Sequence, residues 1–251
     1  LVTPGIHGVK LLQLNAWGGR LEHLIGDLLE AEKPDIVCLQ EAISYEGKES
    51  GLFISLEQMQ EQYDLPYLSF GPAFSFQYMD GTARFGNAIL SRQPITKTEV
   101  VFTHLEHKAD FVWGKDSSNV RNFVHSVITI DGKPCNIMTH HGFWVPSHKN
   151  GNDETMQQME QLADYVQSLS GPVVLTGDFN LSPDSLSLVR LNELLENLSV
   201  NHKLKTTRTQ LTYKTEVCDY IFINEAVQVK RFAALDKIVS DHQALVLEFT
   251  I

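Results

Sequence analysis

Residues Pro172 to Pro183 read PVVLTGDFNLSP. Pro172–Thr176 opens this stretch as a short, unbroken apolar run, the mark of a buried strand rather than a helix. At its end come Asp178 and Asn180. Their spacing of two puts both side chains on one face of an extended segment. An Asx turn accounts for either residue alone; it accounts less well for the pair. A helix is expected next, over about residues 184–197.

The same grammar repeats outward from this stretch. Val9–Leu14 and Asp35–Gln40 read as buried strands, and between them Leu21, Leu24, Ile25, Leu28 and Leu29 mark one face of a helix that Pro34 halts. Residues 51–63 look helical. Short β-like runs follow at 67–70, 85–91, 97–102, 122–130 and 134–140. Asn152-Asp153-Glu154 is a capped, acidic helix start, with Met156, Met159, Leu162, Ala163 and Val166 as its apolar stripe. The end is β-rich, at 217–223, 227–232 and 243–250. No repeat or linker divides the chain, so 1–251 is expected to be one domain with its core at about 9–250. Alternating elements early and hairpin-like strands later suggest two mixed sheets packed together, with helices outside.

Polar residues fit for metal and proton chemistry recur beside these runs. Asn15 follows KLLQL, Glu41 follows DIVCLQ, His140 follows CNIMT, Asp219 opens DYIFI, and Asp241-His242 precede QALVLEF. Strand ends in α/β sheets are where ligand crevices form. With Asp178 and Asn180 there are six such places, too many to assign comfortably to turns.

The ordered set LLQLNAWGG, PDIVCLQEA, GNAILSR, IMTHHGFW, VVLTGDFNLSP, CDYIFI and VSDHQALVLEF resembles the endonuclease/exonuclease/phosphatase superfamily, the DNase I-like proteins, over residues 9 to 250. The resemblance implies a four-layer α/β sandwich and hydrolysis of a phosphoester with a divalent ion, Mg²⁺ with Mn²⁺ as a substitute. Members include nucleases, phosphodiesterases, sphingomyelinases and phosphatases.

Phosphoryl chemistry and the resemblance together assign roles. Attack of water on a phosphoester needs neutralised phosphoryl oxygens, an activated water and help for the leaving oxygen. Mg²⁺ prefers oxygen donors and often takes only one or two carboxylates. Glu41 is the first metal ligand expected, with Asn15 beside it and Asp241 completing the site. Asp178 is expected to orient or deprotonate the water, and Asn180 to hydrogen-bond the phosphoryl group. His242 is expected to contact phosphate or nucleophile, with Asp219 fixing its tautomer. His140 matches the family's Thr-His and is preferred for its place after Thr139; strand alternation lets only one of His140 and His141 point inward easily, and His141 stays open. Asn87 is read as a supporting residue. Arg121 stands outside the catalytic set because a surface arginine fits its position nearly as well. Trp17, Trp113, Phe143 and Trp144 adjoin the motifs and can wall a pocket.

Composition narrows the substrate. The 31 acidic residues outnumber the 20 Lys and Arg, giving a net charge of −11, which disfavours a binder of long duplex nucleic acid. Lys108, Lys115 and Arg121 form one modest basic cluster, in a segment that could cover the site. No apolar run spans a bilayer, and Leu1–Gly8 has neither the basic start nor the apolar stretch of a signal peptide. Cys38, Cys135 and Cys218 make no metal pattern and lie in apolar runs, which suits buried, reduced thiols in a cytoplasmic protein. The alternative to an enzyme is a binding protein that keeps the fold, and the intact motif set argues against it.

Overall fold

A computed structural model describes residues 8–48 and 51–251. The signal-peptide reading falls, for residues 1–7, outside them. In chain order the first half contains β1 (Val9–Asn15), α1 (Glu22–Glu32), β2 (Ile36–Glu46), α2 (Leu56–Gln62), β3 (Tyr67–Tyr78), β4 (Gly81–Ser91) and β5 (Ile95–His104). Then come β6 (Arg121–Ile130), β7 (Lys133–His141), α3 (Asp153–Gln167), β8 (Val173–Asp178) and α4 (Val189–Leu194). The chain closes with β9 (Glu196–Asn197), α5 (Leu198–Asn201), β10 (Asp219–Ile223), β11 (Gln228–Ala234) and β12 (Leu245–Thr250).

The strands form two six-stranded sheets, ordered β11-β12-β1-β2-β4-β3 and β5-β6-β7-β8-β10-β9. Each is mixed, with a parallel pair near its centre: β1 beside β2, and β7 beside β8. The remaining pairings are antiparallel. This is the α/β sandwich that the sequence led us to expect.

Period-two alternation sorts each strand's side chains between layers. Leu12, Leu14, Val37 and Leu39 face α1 and α2, while Leu11, Ile36 and Cys38 face the other sheet. In the second sheet Ile137, Val174 and Ile221 point into the inter-sheet layer. Met138, Leu175 and Phe222 point outward, onto Met159, Leu162 and Val166 of α3.

The helices follow their local signals, with small displacements. Lys33 closes α1 in the left-handed conformation just before Pro34. Asn152 caps α3 in a capping box with Thr155. Leu24 and Met156, expected on apolar faces, are instead exposed. The helix expected over 184–197 is a 3-10 turn, Leu186–Leu188, running into α4 and then β9. No helix among the described residues is long and apolar enough to cross a membrane.

Candidate active site

Along the inter-sheet layer, hydrocarbon gives way to polar groups at one end. Following the alternation, Leu11 leads to Gln13 and Asn15, Cys38 to Gln40, Ile137 to Thr139 and His141, and Val174 to Thr176 and Asp178. The polar rungs are tied together. Gln13 Nε2 donates to Gln40 Oε1 at 2.8 Å, and Gln40 Nε2 donates to Thr139 Oγ1 at 2.8 Å. Gln13 Nε2 also reaches Asp219 Oδ1 at 3.5 Å.

The topology explains why residues remote in sequence meet here. The two parallel pairs run the same way, so β1, β7 and β8 deliver their final residues Asn15, His141 and Asp178. The antiparallel neighbours deliver their beginnings. Asp219 starts β10 opposite Asp178, and Asp241-His242 lie just before β12, which pairs with β1.

Glu41 arrives differently. Its strand continues to Glu46, and the register with β4 shifts between Leu39 and Ala42. Glu41 sits in that bulge at φ 53°, a conformation uncommon for a residue with a Cβ. Bulges re-aim side chains, and this one turns Glu41 into the site. The sequence placed it after the strand; it lies within one. Asn180, at φ 56°, likewise stands in a left-handed turn and not in extended chain.

Around Asp178 the contacts are specific. Asn15 Nδ2 donates to Asp178 Oδ2 at 3.1 Å and to Glu41 Oε1 at 3.2 Å, while its Oδ1 accepts the Trp17 N–H at 3.0 Å. Asp178 Oδ1 accepts the Asn180 N–H at 2.9 Å. Asn180 donates to the Gly142 carbonyl at 3.1 Å and accepts from Lys149 Nζ. Burial works to raise the Asp178 carboxyl, but His242, Arg208 and Lys149 outweigh it and hold the group well below the usual range. Asp178 is therefore an anion. Glu41 is the reverse: desolvation, reinforced by Asp178, lifts its carboxyl above the ordinary value despite His242 and Asn15.

Opposite stands a carboxylate–histidine pair. His242 Nδ1 lies 2.8 Å from Asp219 Oδ2, which also accepts the Thr207 hydroxyl at 2.6 Å. His242 Nε2 faces Asp178 Oδ2 at 3.6 Å and contacts Arg208 Nη1. Burial disfavours the imidazolium, yet Asp219 and Asp178 more than compensate and raise the pKa. The Arg208 contact pulls the other way, because Nε2 must accept there and the ring must be neutral. The two carboxylates are the stronger influence. Asp241 completes the rim, 3.6 Å from Arg208.

The expectation for His140 needs correction. His141, not His140, faces the site, with Nε2 3.8 Å from Asp178 Oδ2 and 3.9 Å from Glu41 Oε1. His140 pairs in register with Gly177 and His141 with Asp178, so alternation sends His140 outward, where its ring packs on Phe179 at 5.2 Å. Both of its ring nitrogens are buried without a well-formed hydrogen-bond partner among the described residues. Desolvation lowers its pKa to about 3, and it is neutral. Gly177 makes the close approach of these strands feasible: a Cβ there would lie 2.0 Å from the His140 carbonyl oxygen.

Two cations, Arg208 and Lys149, escaped the sequence reading, and a third, Arg121, was named there but left outside the catalytic set. Arg121 is buried, held by Nε on the Gly142 carbonyl at 2.7 Å. Burial lowers it to about 10 and Glu41 and Asp178 oppose that shift, so it remains charged. Its only signal was a basic residue opening a strand. Arg208 and Lys149 are both buried, in loops that carry no motif; they left no signal at all. Asn87 ties the sheets together through Asn122 at 2.8 Å and does not reach the cavity. Phe143, expected as a pocket wall, packs on His104; Trp17, Trp113 and Trp144 do line the cavity. That cavity holds about 720 Å³ and takes in Glu41, Asp178, Asn180, Asp241 and His242.

Two donor sets invite a metal. Asp178, Cys218, Asp219 and His242 lie within 4.8 Å of one another, but Cys218 and His242 spend their contacts on Asp219 and burial keeps the thiol protonated. The carboxylates of Glu41, Asp178 and Asp241, all open to the cavity, are hard oxygen donors that fit Mg²⁺ better. In this arrangement Asn15, expected as a metal ligand or its neighbour, offers Glu41 and Asp178 its amide hydrogens, its oxygen being taken by the Trp17 N–H.

A sandwich of this topology, with carboxylates, amides and histidines gathered where its two sheets open, defines the DNase I-like class of phosphoester hydrolases. The chain belongs to the Endonuclease/Exonuclease/phosphatase family, whose model matches residues 12–242. Solved structures share the fold at low identity. A family protein from Leptotrichia buccalis superposes with a TM-score of 0.70 at 17% identity, covering 97% of this chain and 100% of that one. The human Nocturnin catalytic domain with bound sulfate gives 0.69 at 17%, covering 97% and 93%. A Bacteroides thetaiotaomicron mannosyl-6-phosphatase gives 0.67 at 15%, covering 97% and 100%. No curated protein matches the chain by sequence.

Proposed function

We propose that this chain is one catalytic domain that hydrolyses a phosphoester by direct attack of water, with Mg²⁺ as its ion and Mn²⁺ able to substitute. The observation that carries the reading is the placement of Asn15 between Glu41 and Asp178, directly opposite the His242–Asp219 pair. When bound at Glu41, with Asp241 and Asp178 near, the ion would supply positive charge to the phosphoryl oxygens.

The chain's own groups supply the rest. Asp178, held anionic, accepts a hydrogen bond from the attacking water and aligns it; so depressed a carboxylate orients better than it deprotonates, and the water's proton passes to an oxygen of the product phosphate. His242 turns Nε2 to the cavity because Nδ1 is committed to Asp219, and it gives its proton to the departing oxygen. Arg208 leaves Nε2 as it swings to the incoming anion, which frees the ring to hold that proton. Arg121, Arg208 and Lys149 counter the charge that builds on phosphorus-bound oxygen, and their burial strengthens each of them. Asn180 and His141 add hydrogen bonds to the phosphoryl group.

The human Nocturnin structure holds a sulfate and the Bacteroides relative is a sugar phosphatase; both accord with an anionic tetrahedral group at this site. The three cysteines are buried and unpaired, which suits a reducing cytoplasmic setting. The test is hydrolysis of a phosphodiester and a phosphomonoester panel with chelator and then added Mg²⁺. Turnover should vanish with chelation and return with the ion. A chelator-resistant enzyme refutes the metal role. Silence across the panel, with tight binding of a partner, favours a binding protein instead.

A further inference from the structure

The cavity is far larger than a phosphoryl group, and its outer wall is of different chemistry. Phe74 is stacked between Phe85 at 4.8 Å and Phe111 at 4.0 Å. Trp113 stands edge-on to Phe74 at 5.6 Å and to Phe76 at 5.9 Å. Phe53 and Tyr78 continue the wall, 5.6 Å apart. Phe53, Phe74, Phe76, Tyr78, Phe85 and Trp113 open onto the same cavity as Asp178 and His242.

Core packing alone does not account for the arrangement. Phe74 and Phe111 are buried, but Trp113 remains 59% exposed. The segment between β5 and β6 that carries it is fastened to β3 by the Phe74–Lys108 bridge, and Lys108 pairs with Asp116. A fixed loop thus holds an indole at the mouth of a phosphoester site.

We infer that the substrate's alcohol carries a planar aromatic ring, seated against this wall while the phosphoryl group lies at Asp178; the inference rests on the hydrolytic reading above. Tilted and edge-on rings offer faces and edges to a further ring. On this wall the Gln77 amide, a group that a sugar hydroxyl would seek, already donates to Thr82. A flexible alkyl chain gains area but no ring geometry. Water adds to phosphorus as the bond to the alcohol breaks, and the proton goes to that alcohol, so no further reactant is needed.

The ring has two sources, an aryl group or a nucleobase, and one experiment separates them. Methyl, cyclohexylmethyl, benzyl and thymidine-5′-yl phosphates, each as monoester and as methyl diester, are compared by kcat/KM with Mg²⁺. Benzyl or thymidinyl esters should exceed methyl by roughly 10- to 100-fold, as burial of a ring-sized apolar surface implies, and cyclohexylmethyl by less. Whichever ring ester leads names the source. Trp113→Ala should reduce the ring-to-methyl ratio. Equal kcat/KM across the series, or a ratio untouched in Trp113→Ala, overturns the ring pocket and leaves hydrolysis standing. No turnover of any ester overturns both.

Discussion

Asn15 Nδ2 lies 3.1 Å from Asp178 Oδ2, across 163 residues of sequence and from one sheet to the other. One amide therefore holds two carboxylates, Glu41 and Asp178, at a separation that their mutual repulsion would otherwise widen.

Asp178→Asn keeps the shape but removes the charge that His242, Arg208 and Lys149 face. Turnover should fall by roughly 10²- to 10³-fold, the range for losing one preorganised polar contact to the reacting groups, with the far-ultraviolet circular dichroism unchanged. Wild-type turnover in this variant would remove Asp178 from the mechanism.

Exchanging the neighbouring histidines separates their faces. His141→Gln should reduce kcat markedly, while His140→Leu should leave it within a few-fold of wild type. The opposite ranking in steady-state assays would mean that β7 presents its other face.

His140 also ties stability to pH. Unfolded, it takes up a proton near the ordinary 6.5; folded, only near about 3. Between those values the unfolded state holds more protons, so its contribution is complete above 6.5 and declines as pH falls. The slope is about 1.4 kcal/mol per pH unit for one such group. Denaturant titrations from pH 7 to pH 4 should show a shallower decline in His140→Leu.

Mg²⁺ should stabilise the fold by mass action, about 2.7 kcal/mol at a hundredfold excess over Kd. Glu41→Gln should lose most of that gain. A melting temperature that rises equally with Mg²⁺ in both proteins would place the ion elsewhere.

Replacing Gln40 by Leu leaves Gln13 and Thr139 without their buried partner, at a cost of about 1–3 kcal/mol. Because Gln13 also reaches Asp219, the nuclear magnetic resonance titration of His242 should shift as well. A stability loss with an unmoved titration would confine Gln40 to a structural part.

Much of this was legible in the residues. Apolar runs of strand length, Asn152 as a helix cap and Pro34 as a helix stop act over a few neighbours, so local sequence carries them. Asp178 was legible as the polar end of a buried run; Asn180 reaches the site by a left-handed turn closed on the Asp178 carboxylate and not by the shared strand face that the spacing of two suggested. His140 and His141 were not legible, because both follow the same strand and only its pairing with β8 says which one faces Asp178. Arg208 and Lys149 were invisible, because nothing in their loops shows that they end beside His242 and Asn180.

Sequence by itself therefore determined the layers, the cap and stop signals, and the stock of carboxylates, amides and histidines available for chemistry. Tertiary structure alone decided which of them meet. Convergence depends on two parallel strand pairs ending together, on a bulge that turns Glu41 inward, and on burial that sets each group's charge. All three come from contacts between residues far apart in the chain.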